Sequence, residues 1–285
     1  MSKTMANWEK KLKIRHGEPI ECLGLTFYPV KMARYEEFLE VKNAWTLRLT
    51  TLPAKYMVMP FLSALWALEY DSIKQTKKAV GFFERIIHFL YLTLRLEYNK
   101  EGLAKSVRCL REDPRQLSHI VLIQKGKEIE ITPREFAADI RPLVAEQNGL
   151  EIPDESFNPE LVQAEKDYAE LHKAPLDYNT DSLIASVAYL SHLDESVIDD
   201  WTVLQFERRY KAIDRDKSFT LYRQAELSGM VKFPKGNPCP SWCYDKIAQS
   251  HALRSIAEVS KNVQAIGDLN AAISGAQRQP TTTSK

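Results

Sequence analysis

Hydrophobic and polar positions near the N-terminus predict a β-hairpin followed by a long helix. Ile20–Cys22 and Leu25–Val30 have the pattern of short strands, and Leu23-Gly24 between them suits a turn because glycine adopts positive φ readily. A helix is then predicted from about Met32 to Leu52, with Pro53 as its stop. Its inward positions recur at near-helical spacing: Phe38, Val41, Trp45, Leu49 and Leu52.

The same order of elements recurs in the middle of the chain. Ile120–Gln124 and Glu128–Ile131 are predicted strands joined through a Lys-Gly-Lys turn. A helix N-cap follows at Thr132, because proline suits the first helical position and a glutamate three residues on completes a capping box. We expect that helix to run to about Asn148.

Two further helices are predicted between the hairpins, within Lys55–Asn99. The second has more than one apolar stripe, so we expect it to be buried on several sides or to face a partner. The two stripes are Val80, Phe83, Ile87, Leu90 and Leu94, and Phe82, Ile86 and Phe89.

The C-terminal half is predicted to be helical. After a Pro-containing stretch around one short predicted helix, Pro159–His172, a helix capped by Asn179 or Thr180 runs through Ser191. Two more are predicted, from the Thr202 cap to about Ile213 and from about Asp216 to Ser228. Trp242–Lys261 is compatible with a last helix, and the small polar tail after it is expected to be disordered.

These patterns predict a mainly α fold with small β-hairpins, of the α+β class, with an N-terminal hairpin and helix region and a C-terminal helical bundle. The predicted organisation has five parts: a polar leader 1–16, an α+β domain 17–150 with two hairpin–helix units, a connector 151–180, a helical domain 181–261 and a tail 262–285.

Composition changes this picture little. The chain has 285 residues, 44% of them hydrophobic and 27% charged, and a formal net charge of +1, so no global field attracts it to nucleic acid or membrane. The most apolar stretches, Met57–Leu68 and Ile86–Leu96, are far shorter than the roughly 20 residues a spanning helix needs. Four scattered cysteines and no secretory signal favour a cytosolic protein.

Sequence motifs for the common enzyme classes are absent. There is no GxGxxG, no GxxxxGK[ST], no GxSxG and no HExxH. His88 lies in an apolar helix, where a buried structural histidine is a better interpretation than a general base. We therefore predict no catalytic residues, no cofactor and no enzymatic activity.

One pair of cysteines is a candidate for metal binding. Cys239 and Cys243 have a CxxxC spacing, whereas zinc sites usually use CxxC with a second ligand pair, and His251 is the only histidine after them. Loop cysteines without a metal are the favoured interpretation.

A DNA-binding role rests on the predicted helix beginning after Thr202. With the preceding helix it loosely resembles a helix-turn-helix, and Arg208, Arg209 and Lys211 lie on its outer face. The joining segment is longer than the usual turn, and neighbouring acidic residues dilute the charge, so a solvated face is the favoured interpretation.

Three aromatic residues are candidates for binding a partner: Trp201, Trp242 and Tyr244. The last two stand beside prolines in a predicted loop, where aromatic side chains either fill a core or anchor an interface. The sequence leaves both alternatives open.

The order of several short motifs resembles a family of phage and prophage proteins from Gram-positive hosts, encoded among tail and baseplate assembly genes. The matching pieces are Gly17-Glu18-Pro19-Ile20, Tyr28-Pro29-Val30, Glu146-Gln147-Asn148, Ile152-Pro153-Asp154-Glu155, the stretch from Tyr222 to Phe233, and Trp242. The chain departs from the family in its Cys239/Cys243 loop and in its extended leader and tail.

The resemblance implies a non-enzymatic role in tail morphogenesis, chaperone-like or scaffolding, in the cytoplasm of the bacterial host or in the virion. The implied partner is a phage tail, tape-measure or baseplate protein, with homo-oligomerisation left open and neither nucleic acid nor membrane expected. The alternatives are a helical DNA-binding regulator and a structural subunit retained in the virion.

Overall fold

The computed structural model describes residues 7–96, 107–111, 113–155, 179–229, 231–233 and 236–244, and the single positions 160, 164, 167, 168 and 171. These residues form a mainly helical fold with two small antiparallel sheets, which confirms the predicted fold class. Each helix in the described part of the chain is too short or too polar to span a bilayer.

The chain divides into two compact units, Met1–Glu155 with Asp177–Tyr244, and Ser156–Leu176 with Asp245–Lys285. In the second unit, the described positions of the predicted helix Pro159–His172 are helical and exposed: Glu160, Ala164, Asp167, Tyr168 and Leu171. The rest of that helix and the predicted tail lie outside the described residues. The five-part organisation stays a prediction.

The first unit contains the elements that position the candidate sites. Its α-helices are α1 (Asn7–His16), α2 (Tyr35–Trp45), α3 (Ala54–Met57), α4 (Phe61–Thr76), α5 (Phe82–Leu94), α6 (Pro133–Glu135), α7 (Arg141–Gln147), α8 (Thr180–Ser191), α9 (Glu195–Asp199) and α10 (Val203–Leu227). Its strands are β1 (Ile20–Cys22), β2 (Leu25–Phe27), β3 (Val107–Leu110), β4 (His119–Gln124) and β5 (Lys127–Ile131).

Both predicted hairpins are present, each in its own antiparallel sheet. Strand β1 pairs with β2, while β4 pairs with β5 and also with β3, which was not predicted. The buried side chain of Gln124 connects the two sheets, because it accepts from Thr26 N at 2.8 Å and donates to the Thr26 carbonyl oxygen at 2.8 Å. A glutamine side chain thus takes the place of a strand-to-strand backbone pair.

Helix α2 ends at Trp45, whereas the predicted helix runs to Leu52. The Trp45 carbonyl oxygen accepts from Arg141 Nε at 3.1 Å. The Leu49 N–H, which would bind that oxygen in a longer helix, donates to Glu155 Oε1 at 2.9 Å. Two side chains about a hundred residues away therefore end the helix, and the local pattern could not show it.

The N-cap predicted at Thr132 is confirmed, with a complete capping box to Glu135. The helical path from there to Gln147 is interrupted by a π-helical segment, Phe136–Ile140, between α6 and α7. Pro142 lies two residues after the end of that segment, and its ring cannot fit against an α-helical carbonyl four residues earlier. The wider π turn accommodates it.

Helix α8 is confirmed, with the Asn179 side chain accepting from the Asp181 and Ser182 N–H groups at 2.9 and 3.5 Å. Beyond it, α10 continues unbroken to Leu227, so the predicted end near Ile213 is wrong. No proline or glycine lies between Val203 and Leu227, and an exposed helix needs no apolar periodicity to continue through a polar stretch.

The core of this unit is an aromatic cluster where α2 crosses α5. The Trp45 ring packs edge-on against Phe89 at 4.8 Å and against Phe136 at 5.4 Å, and Phe38 packs against Phe89 at 5.7 Å. All four side chains are fully buried. Both predicted apolar stripes of α5 contribute to this core, so burial on several sides explains them.

Helices α9 and α10 are attached to the N-terminal hairpin region rather than separate from it. Lys31 and Thr202 form an isolated antiparallel bridge, with Met32 N donating to the Trp201 carbonyl oxygen and Val203 N to the Val30 carbonyl oxygen, both at 2.9 Å. The Thr202 side chain also caps α10 through a capping box, as predicted. The first turn of α10 is therefore fixed to the fold, and its later turns extend outward.

Candidate functional site

Trp242 and Tyr244 lie in a loop that packs along α10. Arg215 Nη1 on that helix donates to the Cys243 carbonyl oxygen at 2.9 Å, and Cys239 Sγ lies 3.6 Å from the Arg215 carbonyl oxygen. The backbone is held there while the Trp242 and Tyr244 side chains are 61% and 76% exposed. Neither ring fills the core, and the predicted helix does not begin at Trp242.

Trp242 borders a surface groove of about 490 Å³ on one side of α10. Leu190 of α8 and Ile213 of α10 supply apolar surface to it, and the same short stretch of α10 supplies charge of both signs. The charged residues that line it are Arg215, Asp216 and Lys217. Such a groove suits an apolar side chain of a partner more than a charged small molecule.

Trp201 plays a different structural role, because it is half-buried at the start of α10. The Arg209 guanidinium lies 4.9 Å from the centre of its ring. Trp201 lines a second groove, of about 430 Å³, which shares Ala212 with the groove beside Trp242. The structure thus places Trp201 and Trp242 in adjoining grooves along one helix.

The two loop cysteines are free thiols, Cys239 half-buried and Cys243 exposed. Cys243 Sγ lies 3.5 Å from Ser241 Oγ, and Cys239 Sγ lies 3.6 Å from the Ser241 carbonyl oxygen. In the part of the chain that the structure describes, no three His, Cys, Asp or Glu side chains are arranged to hold a metal ion. His251 lies outside that part.

His88 forms a pair with a carboxylate, although its surroundings do not favour proton transfer. Its Nε2 lies 3.2 Å from Glu37 Oε2, and Arg34 binds both Glu37 oxygens at 2.8 and 2.6 Å. The hydrogen bonds from Arg34, and after them those from His88, lower the pKa of Glu37. A carboxylate held this firmly in its ionised form accepts protons poorly.

Helix α1 also contributes to a groove, although the sequence pattern places it in a polar leader. Its Lys11 and Arg15 line a third groove, of about 570 Å³, together with Arg208 of α10. The signal was available in the run of basic residues Lys10, Lys11, Lys13 and Arg15, but the spacing alone does not show what they face. Only the packing of α1 on α10 brings the two basic stretches together.

No family model matches this sequence, and no curated protein or solved structure matches it either.

Proposed function

We propose that this protein is a non-enzymatic factor of phage or prophage tail morphogenesis that binds a tail or baseplate component as a chaperone-like or scaffolding protein. The resemblance in motif order supports the biological setting, and the exposed apolar surface supports the protein-binding activity. The proposed partner is a tail, tape-measure or baseplate protein. Binding takes place in the cytoplasm of the bacterial host.

The observation that carries this proposal is the exposure of α10 and its surroundings. Only Val203 and Phe206 of this 25-residue helix are buried. Large apolar side chains that contact water gather on and around it: Tyr189, Leu190, Leu193, Val197, Tyr210, Leu221, Leu227, Val231, Trp242 and Tyr244. Each square ångström of apolar surface left in water costs roughly 25 cal/mol, which a protein partner can recover.

Trp242 and Tyr244 are the proposed anchors of that interface. Both are well exposed, and their backbone is fixed by the contacts of the loop with Arg215. A large aromatic side chain on a fixed backbone loses little conformational freedom on binding, which is why such residues dominate interface energetics. Trp201 contributes less, since Arg209 covers part of its ring.

The test is co-purification of the tagged full chain from cells that produce the phage or prophage, with partners identified by mass spectrometry. We expect a tail, tape-measure or baseplate protein to be recovered, and at least tenfold less of it with a Trp242→Ala/Tyr244→Ala double variant. Val58→Ser changes an apolar residue that is 88% exposed elsewhere on the surface, and it should bind normally.

Two outcomes would contradict this proposal. Recovery of host DNA without a tail protein would favour a regulator. If Val58→Ser reduced the recovery of the tail protein as much as Trp242→Ala/Tyr244→Ala does, the effect would not be specific to the loop. Stoichiometric presence of the protein in purified particles would instead identify it as a structural subunit retained in the virion.

A second candidate function, DNA-binding regulation, is supported by the exposed pair Arg208 and Arg209 on α10. A protein that neutralises phosphates with these side chains binds duplex DNA less tightly as salt rises. We would measure duplex binding over a series of salt concentrations. A steep dependence that is lost in an Arg208→Ala/Arg209→Ala variant would favour this function over the first.

A further inference from the structure

The surface between α1 and the first half of α10 carries two adjoining grooves. One is lined by residues of α1 and α10, and the other lies beside Trp201; they share Arg15 and Arg208. We call this surface the basic groove and define it by six residues: Trp8, Lys11, Leu12, Arg15, Arg208 and Arg209. The part beside Trp201 shares Ala212 with the groove that contains Trp242.

The basic groove has an excess of positive charge. Lys11, Arg15 and Arg208 are exposed, and none of them forms an ion pair with another described residue. Glu146, the carboxylate among its lining residues, is engaged by Lys10 at 2.7 Å. Lys10 therefore offsets the charge of Glu146, while Lys11, Arg15 and Arg208 have no such partner among the described residues.

An apolar strip lies beside these cations. Trp8 is 68% exposed and Leu12 37% exposed, and their i, i+4 spacing puts them next to each other on α1. Lys11 and Arg15 have the same spacing, so a row of apolar side chains runs alongside a row of basic ones. Leu204 of α10 adds apolar surface to the same groove.

We infer that the basic groove binds an acidic amphipathic helix of a partner protein. The apolar side of such a helix would cover Trp8 and Leu12, and its carboxylates would lie against Arg15 and Arg208. An amphipathic helix laid in a groove between two helices is a common mode of recognition, and opposite charges on the two sides set its orientation. This inference does not depend on the partner being a tail component.

The same observations weigh against a nucleic acid in this groove. Single-stranded binding stacks successive bases on several aromatic faces. Arg209 lies over the Trp201 ring at 4.9 Å, so Trp8 is the exposed aromatic face among the residues that define the groove. A nucleic acid carries a phosphate at every nucleotide, whereas a helix can place its carboxylates against Arg15 and Arg208 and its apolar side chains against Trp8 and Leu12. A polyanion also gains nothing from the exposed Leu12.

The probe for the test is a fluorescent peptide of about five helical turns, with leucine at every third or fourth position and glutamate elsewhere. A second peptide has lysine in place of each glutamate. Binding of the full chain to each is measured by fluorescence anisotropy at low and at physiological salt. We expect the acidic peptide to bind at least tenfold more tightly than the basic one, and salt to weaken this preference.

Variants then assign the binding to the groove. Arg15→Glu/Arg208→Glu should weaken the binding of the acidic peptide at least tenfold. Trp8→Ala should weaken the binding of the same peptide at both salt concentrations. Arg134→Glu reverses the charge of an exposed arginine on α6 and should leave binding unchanged. Because Arg15, Arg208 and Trp8 are exposed, these proteins should fold, which circular dichroism would verify.

Three results would overturn the inference. The first is equal affinity for the acidic and basic peptides. The second is tighter binding of single-stranded or duplex DNA than of the acidic peptide, lost in the same Arg15→Glu/Arg208→Glu variant. The third is a dimer of the wild-type chain, measured by light scattering, that this variant dissociates, because a second copy would then occupy the groove. None of these results depends on Trp242 or Tyr244, so they leave the proposed function to its own test.

Discussion

Trp45 and Arg141 bind each other through two hydrogen bonds that run in opposite directions. The indole Nε1 of Trp45 donates to the Arg141 carbonyl oxygen at 3.1 Å, and Arg141 Nε donates to the Trp45 carbonyl oxygen at 3.1 Å. Arg141 Nη2 also donates to the Leu47 carbonyl oxygen at 3.0 Å, and the guanidinium lies 3.5 Å from the centre of the Phe61 ring. The pair joins the end of α2 to the start of α7.

Burial explains why this arginine is important for stability. Arg141 is 6% exposed, and desolvation lowers its pKa to about 10, so it is still charged at neutral pH. Replacing it with Met would leave the Trp45 and Leu47 carbonyl oxygens without their donor. We expect Arg141→Met to lower the free energy of unfolding by about 3 kcal/mol, measured by urea denaturation. Arg134→Met, on the surface, should change the free energy of unfolding by less than about 0.5 kcal/mol. Equal effects of the two substitutions would contradict a stabilising role for the buried hydrogen bonds of Arg141.

Asp71 connects three parts of the chain, and its contribution to stability should depend on pH. Its Oδ2 accepts from Lys55 Nζ at 2.7 Å, Tyr56 OH at 2.9 Å and Arg115 Nη2 at 3.0 Å. The hydrogen bond from Lys55, followed by those from Tyr56 and Arg115, lowers the pKa of Asp71 below its ordinary value of 3.8. The folded state therefore holds the ionised carboxylate better than the unfolded chain does.

Because the pKa is lowered on folding, this stabilisation is present above pH 3.8 and is lost as the pH falls through the lower pKa of the folded state. We expect Asp71→Asn to be about 1 kcal/mol less stable than wild type at neutral pH, with the difference shrinking below pH 3.8. Urea denaturation over a pH series measures both. Asp214→Asn, on exposed α10, should match wild type at neutral pH, and a constant difference for Asp71→Asn would refute the mechanism.

Gly17 lies where the chain after α1 passes close to the cap of α10. Its φ is +74°, and a Cβ at this position would lie 2.7 Å from Thr202 Cγ2. Gly126 also has positive φ, at +77°, but a Cβ there would have nothing within 4 Å of it. We expect Gly17→Ala to lower the free energy of unfolding by about 2–4 kcal/mol and Gly126→Ala by about 1–2 kcal/mol. Urea denaturation of the two variants measures the difference.

A second substitution separates the two causes of instability in Gly17→Ala, the steric clash with Thr202 and the backbone strain of a positive φ. Thr202→Ser keeps the capping hydroxyl but removes the methyl group that the new Cβ would meet. The Gly17→Ala/Thr202→Ser protein should therefore be more stable than the sum of the single changes predicts, by about 1 kcal/mol or more in a double-mutant cycle. If the effects of the two single substitutions on the free energy of unfolding simply added, the steric clash would not be a cause of the instability of Gly17→Ala.

Substitution of Trp45 and of Trp242 by alanine should change the free energy of unfolding by different amounts, because the two side chains differ in exposure. Trp45 is fully buried and touches Phe89 and Phe136, so Trp45→Ala should lower the free energy of unfolding by about 3–5 kcal/mol. Trp242 is 61% exposed, so Trp242→Ala should change it by less than about 0.5 kcal/mol. Thermal denaturation of both variants measures this. A large loss of stability for Trp242→Ala would mean that the loop is structural rather than a binding surface.

The elements that were predicted correctly are those whose signals lie within a few residues of each other. The capping box at Thr132, the caps at Thr202 and at the start of α8 and both hairpin turns are local arrangements of hydrogen bonds and backbone angles. Strand β3 was missed because four residues carry too little alternation, and β4 supplies its pairing. Helix α1 was missed because its sequence is mostly polar, with Ile14 as its buried residue.

The candidate sites also depend on features that local sequence patterns do not show. The sequence left open whether Trp242 and Tyr244 fill the core or anchor an interface, and no pattern within the loop could choose between the two. Their exposure agrees with an interface. The basic groove could not be predicted at all, because Arg15 and Arg208 are almost two hundred residues apart in the chain. Gln205 Nε2 donating to the Arg15 carbonyl oxygen at 3.3 Å is one of the contacts that bring them together.

The amino-acid sequence by itself determined the fold class, through the periodicity of its apolar positions, and the helix caps and turns, since these depend on interactions between residues a few positions apart. Tertiary structure decided where α2 ends, which side chains are buried and which charges face each other. Arg141 illustrates the reason: its charge is tolerated in the core only because carbonyl oxygens about a hundred residues away accept its hydrogen bonds. Burial and pairing belong to the packed molecule, and local spacing does not encode them.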